Sequence, residues 1–280
     1  MGRPKAWLPF GGERMLARVV RRLGAAAEPI VVVAAVGQDL PPVDGAALIV
    51  RDAAPDRGPL QGLATGLASL PETVGLVFAT ATDVPLIRPA WVRRLVELIG
   101  DDDLAMPLVD GFHQPLAALY RRASVLPVVM DLLKADLLRP VGLVERLRSR
   151  IVSADELRTV DPDLDTLRNV NTPEQHREAL ERAGLPRKGL ETPSDVTIEF
   201  YGVPRLRASV ARVKVSAPTI GEALKAAAIA VPSLAGEVII GDRLAPSCRL
   251  NWNGERFLSD PDVPLMDGDT LIVLSADVGG

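Results

Sequence analysis

The chain has 280 residues, of which 48% are hydrophobic and 24% charged, with a formal net charge of −4. These values exclude a disordered or collagen-like chain and allow one large or two ordinary globular domains. The slight acidity offers no basic face for nucleic acid. Cys248 is the only cysteine, which excludes an internal disulfide and a cysteine-rich zinc site. His113 and His176 are the only histidines, so a histidine-rich metal site is not expected either. Met1–Lys5 is basic, but no apolar signal region follows, and no stretch reaches the length of a membrane span. A reducing, cytoplasmic setting with no membrane partner is expected.

In chain order, Met1 to Gly12 reads as an irregular loop rich in glycine and proline. Met15, Leu16, Val19, Val20 and Leu23 fall at helical spacing with arginines between them. Pro29–Ala35 and Ala47–Val50 read as strands. The stretch from Asp52 to Gly62 comes next, leading into a helix that puts Leu60, Leu63, Ala64, Leu67 and Ala68 on one face. Val74–Leu86 (VGLVFATATDVPL) is the organising stretch: an apolar strand that runs into Thr82-Asp83-Val84-Pro85. So apolar a run suits a strand buried on both faces, as in a parallel sheet with helices on each side. Asp83 then sits at the carboxyl end of that strand, where open α/β sheets bind ligands. It either carries chemistry at a solvent-open strand end or simply starts a turn before Pro85.

Pro89 opens a helix carrying Trp91, Val92, Leu95, Val96 and Ile99. Leu104–Met106 and Pro115–Tyr120 are strand candidates joined through Asp110-Gly111, and Ala123–Lys134 and Val141–Arg148 look helical. Thr172 is a good N-cap and Pro173 a good first helical residue, so a helix should run to about Ala183. Alternating strands and helices describe a three-layer α/β domain over residues 1–183. Residues 184–194 lack hydrophobic periodicity and read as a linker that keeps two domains independent. Beyond it Val196, Ile198 and Phe200 alternate with polar residues, and Val210, Val213 and Val215 do so more loosely. Thr219 caps a helix over Ile220–Val231, Asn253-Gly254 signals a hairpin, and Leu271–Leu274 is a last strand before Gly279-Gly280. This describes a small α+β domain over 195–280.

Gly58-Pro59-Leu60-Gln61-Gly62 lies between a strand and a helix, where glycine permits close approach of a ligand and a helix amino terminus favours an anion. Alone it is no more than a turn. Together, MGRPKAWLPFGG, RDAAPDRGPLQGL, ATDVPL, HQPLAALYR and NVNTPEQ resemble, in order and near spacing, the molybdenum cofactor guanylyltransferases and their nucleotidyltransferase relatives. The resemblance covers about residues 1–182. It implies a Rossmann-like fold and transfer of GMP from GTP to molybdopterin with Mg²⁺. By position, Lys5 matches the lysine that meets the nucleotide phosphates, and Asp52 an aspartate of the guanosine pocket. Gly58, Pro59, Leu60 and Gly62 match its adjoining loop. Asp83 matches the magnesium ligand, and Asn169 and Asn171 match asparagines at the pterin and metal end of the cleft. The chemistry suits these residues: both substrates are anions, and Mg²⁺ takes one or two carboxylates plus substrate phosphates. The metal and Lys5 would steady charge developing on the departing pyrophosphate, with no nucleophilic side chain or general base required. The family begins with a strand and a glycine-rich loop before the lysine, of which Met1-Gly2 are the last two residues. Either the reading frame extends upstream or the domain is degenerate.

Residues 195–280 resemble the molybdopterin synthase small subunit and thiamine sulfur carrier group. The pieces are Thr219-Ile220-Gly221-Glu222-Ala223-Leu224, Asn253-Gly254, Leu265-Met266-Asp267-Gly268-Asp269 and the terminal Gly279-Gly280. Asp267-Gly268-Asp269 reads as a turn into the last strand. The resemblance implies a ubiquitin-like β-grasp fold and a Gly280 carboxylate that is adenylated and becomes a thiocarboxylate. The implied partners are an adenylating and sulfur-transfer enzyme and the molybdopterin synthase large subunit, with molybdopterin or thiamine synthesis as the sulfur acceptor. The rival expectations are a nucleotidyltransferase for another nucleotide or acceptor, and a non-catalytic pterin- or partner-binding domain fused to a sulfur carrier.

Overall fold

The computed structural model describes residues 4–43, 47–52, 54, 57–185 and 192–276. The chain forms two compact units. One is Met15–Val170; the other joins Met1–Arg14 to Asn171–Gly280. This differs from the expected division into 1–183 and 195–280. Residues 4–14 belong with the C-terminal half, because their apolar and charged side chains are buried there. Residues 186–191 of the expected linker and the terminal residues 277–280 lie outside the described residues.

The N-terminal segment holds the short strands β1 (Pro9–Phe10) and β2 (Glu13–Arg14), paired antiparallel. The unit that follows begins with α1 (Met15–Gly24), which buries Met15, Leu16, Val19 and Val20 as their spacing requires. Next come β3 (Ile30–Ala35) and β4 (Ala47–Asp52), paired parallel, then α2 (Gly58–Ser69) and β5 (Leu76–Thr80). After them run α3 (Pro89–Ile99), β6 (Leu104–Val109), β7 (Phe112–His113), β8 (Ala117–Arg121) and α4 (Arg122–Lys134). The unit ends with β9 (Ser149–Ser153) and α5 (Ala154–Arg158).

The five strands β5, β8, β6, β7 and β9 form one sheet. Side chains alternate across it. Leu104, Met106, Ala118 and Tyr120 join Leu60, Leu63 and Leu67 of α2 and Val125 and Val129 of α4. Ala105, Ala117 and Leu119 point the other way, onto Trp91 and Leu95 of α3 and Leu157 of α5. This period of two places a helical layer on each face, the three-layer α/β arrangement. β5 is not the doubly buried parallel strand expected. Its ladder is antiparallel with β8, and all five of its residues are only partly buried. The reason is that β5 pairs on one edge alone, and β3 and β4 form a separate two-stranded sheet among the described residues. Val141–Arg148 is not an α-helix: Pro140 opens a short 3₁₀ turn, Pro140–Leu143, and the chain then enters β9.

The second unit continues with α6 (Pro173–Arg182), β10 (Ser194–Phe200), α7 (Val203–Ala208), β11 (Arg212–Ala217) and α8 (Ile220–Ala230). Then follow β12 (Ile239–Ile240), β13 (Arg243–Leu244), β14 (Cys248–Trp252), β15 (Arg256–Leu258) and β16 (Thr270–Ser275). Thr172 caps α6 and Thr219 caps α8, each accepting a backbone N–H three residues on. The sheet order is β11-β10-β16-β14-β15, with β10 and β16 parallel and the other pairs antiparallel. With α8 after the first hairpin, this is the β-grasp topology. Val196, Ile198 and Phe200 bury one face of β10, as their alternation predicts. Asn253 and Gly254 both have positive φ in the turn between β14 and β15, where three residues separate the paired Trp252 and Arg256.

Candidate active site

In the unit 15–170, β5 delivers Thr80 and then Asp83. Asp83 is 7% exposed, so the carboxylate is buried, not at the solvent-open strand end that the sequence suggests. The loop after it is fastened from several sides. Val170 N–H donates to Asp83 O at 2.8 Å, which ties the strand end to the Asn169-Val170 segment. Arg18 Nε of α1 donates to Pro85 O at 2.8 Å, and Val19 packs on Val84 and Ile87. Arg88 closes the loop: its Nε lies 2.9 Å from Asp161 Oδ1 and its Nη2 3.0 Å from Asp165 Oδ2. The Asp161 carboxylate also accepts Asp165 N–H at 3.1 Å and Thr166 N–H at 2.8 Å. Arg168 Nε adds a 3.1 Å contact to Asp165 Oδ1. A fully buried carboxylate is tolerable only with such pairing. Sequence reasoning missed this network. Its one visible signal is the pair of aspartates just before Asn169, and their arginine lies 73 positions before the first of them, too far for any local pattern. Asn169 itself is exposed. Thr80 Oγ1, three residues before Asp83, is buried without a hydrogen-bond partner among the described residues.

The same unit places Asp52 at the end of β4. Its Oδ1 accepts Ala54 N–H at 3.1 Å and lies 3.4 Å from Thr65 Oγ1, so the carboxylate is set against α2. Gly58-Pro59-Leu60-Gln61-Gly62 is not the connecting loop but the start of α2 itself. Gly58 has φ +70°, and a Cβ there would meet nothing within 4 Å. Pro59 suits a first helical turn, where its missing N–H costs nothing. The Leu60 side chain is fully buried in the core and leaves only its backbone to face a ligand. What this helix start offers an anion is backbone N–H groups.

In the other unit, Lys5 lies in a 3₁₀ turn, Lys5–Trp7, and its Nζ donates to Asn171 Oδ1. Asn171 sits just before α6, where Gln175 Oε1 accepts both Asn171 N–H (2.8 Å) and Thr172 N–H (3.1 Å). This half of the chain thus brings Lys5 and Asn171 together at a helix amino terminus, where the helix dipole favours an anion. Arg14 is buried among Trp7, Trp252 and Asp269. Burial lowers its pKa, and the Asp269 carboxylate opposes that shift. His176 is fully buried, with Nε2 2.7 Å from Pro9 O and Nδ1 without a partner among the described residues. That pairing calls for the neutral ring with its proton on Nε2, and burial pushes the imidazole pKa down. Gly280 lies outside the described residues. Among the described residues no three His, Cys, Asp or Glu side chains form a metal cage. A donor set of one carboxylate fits Mg²⁺, which keeps water and phosphate oxygens for the rest of its shell.

The family model described as the MobA-like NTP transferase domain matches residues 1–150. The "probable molybdenum cofactor guanylyltransferase" of Mycobacterium avium (strain 104) is 36% identical over 176 residues, which span 61% of this chain and 84% of that protein. Among solved structures, molybdopterin-guanine dinucleotide biosynthesis protein A from Archaeoglobus fulgidus superposes with a TM-score of 0.53 at 20% identity. It covers 65% of this chain and 92% of its own. The 2-C-methyl-D-erythritol 4-phosphate cytidylyltransferase from Thermus thermophilus superposes with a TM-score of 0.51 at 17% identity, over 65% and 94% of the two chains. At such identities the two structures speak for the nucleotidyltransferase fold alone. Because the matched model spans more than half of the chain and the mycobacterial relative is covered over most of its length, this chain belongs to the MobA-like NTP transferase family and is a nucleotidyltransferase.

Proposed function

We propose that the chain transfers GMP from GTP to molybdopterin. The observation that carries this reading is Asp83: a buried carboxylate three residues past the end of β5, whose carbonyl accepts the N–H of Val170 beside Asn169. An ionised phosphate oxygen of molybdopterin attacks the α-phosphorus of GTP, the bond to the β-phosphate breaks, and pyrophosphate leaves. The attacking oxygen carries no proton at neutral pH, so the step asks for charge neutralisation and alignment rather than a base. Asp83 is the residue that would hold Mg²⁺. When bound, the ion neutralises phosphate charge and polarises the reacting phosphoryl group. Lys5 pairs with the phosphates as a point charge. The start of α2 offers backbone N–H groups, and Asp52 offers a carboxylate to the two adjacent N–H donors on the guanine edge. Asn169 and Asn171 supply amide hydrogen bonds to the pterin. The setting is cytoplasmic, where GTP is available.

The C-terminal domain carries sulfur in this proposal, as a thiocarboxylate on Gly280. The support is the β-grasp topology together with the Gly279-Gly280 end of the sequence. The Gly280 carboxylate attacks the α-phosphate of ATP and releases pyrophosphate. A sulfide supplied by the partner enzyme then displaces AMP and leaves the thiocarboxylate. If the donor is a partner persulfide, AMP leaves to give an acyl disulfide, and a second partner thiol breaks its S–S bond, freeing the thiocarboxylate and closing a disulfide on the partner. The molybdopterin synthase large subunit is the natural recipient of that sulfur, since both halves would then serve one cofactor.

Pyrophosphate release by the full chain in the presence of molybdopterin and Mg²⁺ tests the transferase reading. GTP should support release and CTP and ATP should not. Release with CTP alone would turn the reading toward another nucleotide. No release with any nucleotide, from folded protein, would leave a binding domain.

A further inference from the structure

Residues 4–14 carry Lys5, and the C-terminal half of the chain grips this segment at four points. Lys5 Nζ donates to Asn171 Oδ1. His176 Nε2 donates to Pro9 O, and its ring meets Phe10 edge-on at 5.8 Å. Gly11 approaches Leu185 so closely that a Cβ would lie 2.4 Å from Leu185 Cδ1. The fourth grip is the strongest. Arg14 Nη2 pairs with Asp269 Oδ2 at 2.8 Å, while Nη1 donates to Pro264 O at 2.7 Å and to Trp7 O at 3.0 Å. The guanidinium lies 5.5 Å from the Trp7 ring centre and 5.6 Å from that of Trp252, and both residues of the ion pair are buried. Asp269 is itself held by Asn253 Nδ2 at 3.2 Å and Met266 N–H at 2.8 Å.

We infer that Asp269 is a positioning residue for the Lys5 turn, which makes the β-grasp domain a working part of nucleotide binding. This rests on the reading of Lys5 as a phosphate contact. The physical chain is short. Trp7 N–H donates to Pro4 O at 3.0 Å and Leu8 N–H to Lys5 O at 3.1 Å, forming the turn that presents Lys5. Arg14 holds the carbonyl of Trp7, the last residue of that turn, and Asp269 holds Arg14. A buried guanidinium without its carboxylate moves toward water and releases the carbonyl.

The test uses the full chain with Asp269→Asn, Asp269→Glu and Lys5→Met, and Asp267→Asn as a neighbouring control. Asp267 caps Asp195 N–H instead, at 3.0 Å. Two readouts are taken: hydrogen exchange at the Trp7 and Leu8 amides, and GTP affinity by calorimetry. Asp269→Asn should speed exchange at both amides and weaken GTP about ten-fold. Asp269→Glu should restore much of both, and Asp267→Asn should change neither. Lys5→Met should weaken GTP without speeding exchange. Unchanged exchange in Asp269→Asn overturns the inference. So does faster exchange with unchanged GTP affinity while Lys5→Met loses affinity. If Lys5→Met binds GTP normally and Asp269→Asn still speeds exchange, the tether stands and the role given to Lys5 falls. Should Asp269→Asn unfold the C-terminal sheet, Arg14→Lys gives the same reading: it keeps the charge beside Asp269 but loses the fork to Trp7 O.

Discussion

Asp161→Asn is the sharpest probe of how the loop after Asp83 is held. Asp161 is 0% exposed and accepts from Arg88 Nε (2.9 Å), Asp165 N–H (3.1 Å) and Thr166 N–H (2.8 Å). An asparagine keeps one acceptor oxygen and turns an NH₂ toward the remaining donors. Hydrogen bonds to a charged group are worth about 1.5–3 kcal/mol each. Breaking a buried ion pair costs about 3–5 kcal/mol. Here the figure is discounted, because the Arg88 side chain is 37% exposed and retains Asp165 at 3.0 Å. The expected loss is therefore about 2–3 kcal/mol, or roughly 4–12 °C in Tm for a unit of this size. The local consequence is more specific. The Arg88 network and the Val170-to-Asp83 bond join the same two segments, so exchange of the Val170 amide should accelerate in the variant and GMP transfer should fall about ten-fold. Urea titration gives the stability and amide exchange gives the local opening. A stability change under about 0.5 kcal/mol, or unaltered exchange at Val170, would refute the claim that this network holds the loop.

His176 sets a pH dependence for the second unit. Its folded pKa is depressed by burial, so below the unfolded value of about 6.5 the unfolded chain binds more protons and stability rises with pH. Stability should therefore be full above about pH 7 and decline as pH falls through about 6.5 toward the depressed folded value. Urea midpoints across that range should show the slope in wild type and a flatter one in His176→Gln; equal slopes contradict the neutral buried ring. For the tail, incubation with ATP, a sulfur source and the cognate activating enzyme should add about 16 Da at Gly280, with Cys248 and the methionines excluded by fragmentation. A chain lacking Gly280 should gain nothing while the β-grasp core stays folded; an unmodified wild-type tail would make the domain a binding module.

The elements that sequence predicts best are those with a complete local signal. Thr172-Pro173 is both cap and first helical residue, Asn253-Gly254 permits the positive φ of its turn, and Val196, Ile198 and Phe200 alternate cleanly. Elements with weak local signals escape. In β9 only Val152 is buried, and its strand character comes from its parallel pairing with β6. The helix α5 has five residues, and its signature is a capping box from Ser153 to Glu156. Partners far apart in sequence escape as well. Asp269 reads as part of a turn, yet its carboxylate pairs with Arg14 at a separation of 255 positions. Of the residues singled out by family motifs, Lys5 and Asn171 are hydrogen-bonded to each other in one unit, and Asp83 follows β5 in the other. The Asp161–Arg88 support and the burial of Asp83 depend on tertiary packing that no local pattern records.

The central claim is that Asp83 serves metal-dependent transfer of GMP. The direct measurement is the Mg²⁺-dependent rate of GMP transfer from GTP to molybdopterin by the full chain and by Asp83→Asn, with folding checked by circular dichroism. Asparagine keeps the shape of the buried side chain and removes the charge that would hold the metal. The expected result is a folded variant that transfers at least about 100-fold more slowly, the loss of a metal contact worth several kcal/mol in the transition state. A folded variant that transfers at nearly the wild-type rate, with the same Mg²⁺ dependence, would contradict it.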